Sequence, residues 1–105
     1  MKIKDMARDF ELNAACKGYP LAAQPCAVSE LGQRGWNLLD DALAYPVAVL
    51  RRPALTHNLA WMQDFVQCKG VALAPHGKTT MSPELFRMQL QAGAWGLTFA
   101  NVHQL

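Results

Sequence analysis

The chain has 105 residues, 51% apolar and 17% charged, with a formal net charge of +2. That length suits one domain of ~100–150 residues, and an apolar chain with so little net charge is not intrinsically disordered. Ten Lys and Arg are scattered among eight Asp and Glu with no basic stripe, which argues against a nucleic-acid partner, and no run of ~20 apolar residues is present to span a bilayer.

Lys2 and Lys4 open the chain, but Asp5, Arg8, Asp9 and Glu11 follow at once. An apolar stretch of ~7–15 residues is missing there, so a secretory signal is not expected and a cytoplasmic setting is. Cys16, Cys26 and Cys68 are odd in number and lack C-x-x-C or C-x-x-H partners. They read as reduced thiols, neither a disulfide framework nor a zinc site. Residues 1–41 are expected to form a short helix from Asp5 to Cys16 and then irregular chain, because Gly18, Pro20, Pro25, Gly32 and Gly35 interrupt every periodic run. Trp36, Leu38 and Leu39 would anchor that segment to a core.

Residues 42–105 are more regular. Apolar runs at 46–50, 71–74 and 95–100 read as buried strands, with starts 25 and 24 residues apart. Between the first two, Pro53 suits a helix first turn and Lys69-Gly70 a helix end, which predicts a helix over 53–68. Leu55, Leu59, Met62 and Val66 stand on one face of it. Between the last two, Ser82 is an N-cap candidate with Pro83 and Glu84 behind it, and Gly93 is a stop, which predicts a helix over 83–92. Strand–helix–strand–helix–strand at this spacing is the pattern of parallel βαβ units, so the fold class is α/β. Three parallel strands close nothing, and a (β/α)8 barrel needs ~250 residues. The chain is therefore expected to be the N-terminal portion of such a barrel, with apolar surface and strand edges left for further chain or a partner to cover.

The loop from Ala74 to Pro83 lies between a strand's C-terminal end and a helix N-terminus, the edge where α/β proteins place their active sites. Gly77-Lys78-Thr79 matches the end of a phosphate-binding P-loop, but Ala72 stands where its first glycine belongs, so no phosphate cradle is expected. A lysine in this place can instead act as a carbonyl nucleophile, if partial desolvation at the strand mouth frees its amine.

Three motifs carry a resemblance: Pro75-His76-Gly77-Lys78-Thr79-Thr80, then Ser82-Pro83-Glu84, then Ala92-Gly93-Ala94-Trp95-Gly96-Leu97-Thr98. In this order they resemble the D-threonine aldolase / D-serine dehydratase family, pyridoxal 5′-phosphate (PLP) enzymes with an alanine-racemase-like barrel. Leu55-Thr56-His57-Asn58-Leu59 is similar to that family's first barrel helix. The resemblance covers about residues 45–100. It implies that Lys78 holds PLP as a Schiff base and then moves a proton, and that His76 and Thr79 belong to the cofactor-binding loop. Many members have His-Lys after the Lys-Thr pair; Thr80-Met81 here leans toward the amino-acid deaminase-like branch.

By the same resemblance the full protein is a D-amino-acid lyase, acting as a dehydratase, deaminase or aldolase on a substrate such as D-serine or D-threonine. A racemase, or a PLP-binding protein without turnover, stands as the alternative on this scaffold. The family's divalent metal and its PLP phosphate are held by residues outside this chain, and a homodimer is usual. No metal ligands are assigned here: His57 and His103 read as solvated or capping residues. Arg51-Arg52 would be solvated or reach an anion.

Overall fold

The computed structural model describes residues 9–104. They fall into two compact units, residues 9–50 and residues 51–104; the sequence-based boundary was expected at 41/42.

In the first unit β1 (Glu11–Leu12) pairs antiparallel with β2 (Cys26–Ala27), placing Glu11 opposite Ala27 and Leu12 opposite Cys26. A 3-10 helix follows directly over Val28–Arg34 and ends at Gly35, whose φ of 66° is left-handed. Asp9 caps this helix from across the chain: its carboxylate accepts from the Ser29 N–H at 3.0 Å and from the Ser29 hydroxyl at 2.5 Å. These hydrogen bonds, the hydroxyl's first, hold the Asp9 carboxyl below its usual range. Tyr19 is buried, donates to the Gln24 carbonyl at 2.6 Å and meets Trp36 edge-on with ring centroids 5.2 Å apart. Its hydroxyl lies 3.4 Å from the Cys26 sulfur, and that contact, together with burial, raises the phenol's pKa.

Two sequence expectations fail in this unit. The helix over 5–16 is absent from its described part, residues 9–16; residues 5–8 lie outside the described residues. Leu12 is drawn into the β1–β2 pair, and the Asn13 side chain accepts from the Ala15 N–H at 3.0 Å, a local turn that competes with helix. Residues 46–50 form no strand. A strand exists only through a neighbour's hydrogen bonds, and Pro46 has no N–H to give. Val47 packs instead on Gly18, where a Cβ would come within 2.7 Å of it, and the Ala44 N–H reaches the Gly18 carbonyl at 3.1 Å. Trp36 is the anchor that was expected, whereas Leu39 is 86% exposed.

Among the described residues the second unit carries two α-helices, α1 (Arg52–Lys69) and α2 (Pro83–Gln91). α1 has Pro53 in its first turn and stops at Gly70, whose φ of 63° lets its N–H return to the Gln67 carbonyl at 3.0 Å. α2 starts from Ser82, whose hydroxyl accepts from the Leu85 N–H at 3.4 Å. Gly93 follows its end with φ 109°. Val66 of α1 and Phe86 of α2 are buried. Leu55, Leu59 and Met62 share the face of Val66 and line an apolar groove of about 330 Å3 with Leu73, Pro75 and Ala92.

Residues 73–77 and 95–98 run side by side in parallel. The Trp95 N–H donates to Leu73, the Thr98 N–H to Pro75 and the Gly77 N–H to Thr98, at 2.8, 2.9 and 2.8 Å. His76 and Thr98 form a parallel bridge. One residue separates the two acceptors, Leu73 and Pro75, while two separate the donors Trp95 and Thr98. That mismatch at Gly96-Leu97 interrupts a regular ladder. The buried strands expected at 71–74 and 95–100 therefore do not form as regular strands: a single parallel bridge pairs the two segments, no residue of either run is buried, and Pro75 has no N–H to extend the ladder.

Candidate functional site

The loop after residue 75 makes a single 3-10 turn over Gly77–Thr79. Its start is capped by His76, whose Nδ1 accepts from the Lys78 N–H at 3.1 Å. A ring that accepts at Nδ1 carries its proton on Nε2 when neutral, so the Nε2–H remains a donor. The Gly77 carbonyl accepts from the N–H groups of Thr80 and Met81 at 3.3 and 2.9 Å, and the Gly77 N–H is held by Thr98. Met81 closes the loop with φ 46°, a left-handed conformation uncommon for a side chain of its kind. Ser82 then begins α2.

Gly77 is the buried member of this loop, whereas His76, Lys78 and Thr79 are exposed. A Cβ at residue 77 would collide with Cε1 of Phe99 and stand 2.9 Å from Cζ of that ring and 3.0 Å from Cζ of Phe86. Phe86 and Phe99 themselves meet edge-on, with centroids 5.6 Å apart and planes at 83°. The loop's backbone is therefore packed inward while its polar side chains stand outward.

The three residues expected to form the site lie within four positions of one another, Lys78 and Thr79 on the turn and His76 as its cap, and the structure links two of them directly through the His76–Lys78 hydrogen bond. The partial desolvation expected for Lys78 is not found. A loop at the end of one short parallel pair is too narrow to wall in a long side chain. Lys78 makes no salt bridge among the described residues; the ion pair found there joins Arg87 to Glu84 at 2.5 Å. The 330 Å3 groove reaches Pro75 but is lined by none of residues 76–79; Asn58, Gln63 and Gln89 are the polar members of its mostly apolar wall. Arg51, Arg52, His57 and His103 are exposed and stand apart from the loop in sequence. No group of three or more His, Cys, Asp and Glu side chains among the described residues is placed to hold a metal ion. No helix among them is long and apolar enough to cross a membrane.

Sequence reasoning missed the seat beneath the loop. Phe86 falls in the helix expected over 83–92 and Phe99 in the run at 95–100, and neither is tied to the loop by the sequence. The available signal is the glycine between the histidine and the lysine; its φ is not left-handed, so packing accounts for it.

The donor set suits a carbonyl-bearing, oxygen-rich cofactor. The same loop carries a primary amine on Lys78 without a salt-bridge partner among the described residues, and the His76 Nε2–H and the Thr79 hydroxyl as hydrogen-bond donors.

No protein-family model matches the chain. The chain is similar to a D-threo-3-hydroxyaspartate dehydratase of Delftia sp. (strain HT23), with 36% identity over 59 residues. Those residues make up 56% of this chain and 16% of that protein, so the chain matches about one-sixth of its relative's length.

Proposed function

We propose that this chain supplies the cofactor-binding lysine of a PLP-dependent lyase acting on a D-amino acid that bears a β-hydroxyl group. The similarity to D-threo-3-hydroxyaspartate dehydratase carries this reading, since that protein's name states a dehydration of a β-hydroxy D-amino acid. D-Serine and D-threonine are the simplest substrates of that kind. The fold in this reading is the first part of a (β/α)8 barrel, and the whole protein is a homodimer.

PLP, when bound, supplies a conjugated ring that delocalises negative charge from the substrate's Cα. Lys78 would hold the cofactor through its Nζ, and the same amine would take the proton from the substrate's Cα. His76 fixes the Lys78 backbone through Nδ1, and its Nε2–H would be the donor left for the cofactor. Thr79 offers a hydroxyl from the same turn.

In the full-length protein, Lys78→Ala is expected to abolish the visible absorbance of the lysine-bound cofactor near ~420 nm. Turnover of D-serine or D-threonine should fall by about three orders of magnitude or more. An unchanged spectrum and rate would leave Lys78 a surface residue.

A further inference from the structure

We propose that Gly77 is the positioning residue of the loop: the absence of a side chain against Phe99 sets where the Lys78 amine stands. This deepens the cofactor reading and rests on it for the identity of the amine. Gly77 has no left-handed φ, so alanine is compatible with its backbone, and the conflict at this position is steric alone. The obstruction is the far edge of the Phe99 ring, Cε1 and Cζ, with Cζ of Phe86 behind. Phe99 is half-buried, and its ring lies edge-on to the buried Phe86, which limits its retreat on that side. The backbone has little room either. Thr98 holds the Gly77 N–H from one side, and the amides of Thr80 and Met81 hold its carbonyl from the other. Pushing residue 77 outward therefore carries the whole turn with it, including Lys78 next in the chain. Leucine at residue 99 lacks the two ring atoms that obstruct, so it opens space for a methyl group at residue 77.

The test uses Gly77→Ala, Phe99→Leu and the double variant in the full-length protein, with two readouts. One is amide hydrogen exchange at Thr80 and Met81. The other is borohydride trapping of limiting PLP, followed by peptide mapping of the label on Lys78. Gly77→Ala should speed exchange at both amides and lower Lys78 labelling by about ten-fold, the scale expected when a reacting group is displaced by a fraction of an ångström. Adding Phe99→Leu should restore both to within about three-fold of the parent. A Gly77→Ala protein indistinguishable from the parent, or a double variant no better than Gly77→Ala, overturns the proposal. If Gly77→Ala does not fold, a folded double variant supports it, and two unfolded variants overturn it. Exchange in the expected order without any Lys78 labelling in the parent sinks the cofactor reading and leaves the positioning intact.

Discussion

The imidazole of His76 accepts a hydrogen bond from the backbone N–H of Lys78 through Nδ1, at 3.1 Å. The side chain two residues before the lysine thus caps the turn on which the lysine stands, as an Asx side chain would. His76→Ala removes that acceptor and should cost about 0.5–1.5 kcal/mol in denaturant unfolding, the usual net worth of such a bond. His76→Asn keeps a short acceptor and should recover most of the loss. Equal losses in the two variants would mean that the hydrogen bond contributes nothing.

Asp9 should titrate below the usual carboxylate range because Ser29 donates to it twice. A depressed folded pKa stabilises the fold above the unfolded value of ~3.9, and that contribution is lost as pH falls through the folded value. Ser29→Ala should move the Asp9 titration, followed by NMR at its carboxyl carbon, up toward the ordinary value. A curve that does not move shows that the hydroxyl is not the cause.

The 105-residue chain expressed alone should associate. Leu39, Leu50, Trp61, Phe65 and Trp95 are exposed by 45–86%, and apolar surface of this kind seeks cover. Trp61 stacks on Phe65 with ring centroids 5.5 Å apart, one turn along α1, and Lys69 lies 5.9 Å over the Phe65 ring. Light scattering at micromolar concentration should give a mass above that of one chain. A monodisperse monomer that unfolds cooperatively would show a self-sufficient small domain instead.

Both helices were legible because their punctuation is local chemistry. Pro53 and Gly70 bracket α1, and Ser82, Pro83 and Gly93 bracket α2, each through its own backbone restriction or side-chain oxygen. Strands are not local. The run at 46–50 has the composition of a buried strand, yet no neighbour supplies its hydrogen bonds, and Val47 settles against Gly18. The pairing of Leu12 with Cys26 displaces the expected helix over its described part, residues 9–16, for the same reason, a partner far along the chain, and the local Asn13–Ala15 turn adds to it. At the loop, the sequence named His76, Lys78 and Thr79 by their types. It did not show that His76 spends Nδ1 on the backbone, that Lys78 is exposed, or that Gly77 rests on two phenylalanines.

Borohydride reduction of the PLP-loaded full-length protein, followed by peptide mapping, tests the central claim most directly. Lys78 stands exposed on a turn capped by His76, with Thr79 next to it in the chain, whereas Lys69 ends α1 with its ammonium over Phe65. The account predicts one stable pyridoxyl label, on Lys78. A label on Lys69, or on any lysine other than Lys78, would contradict it.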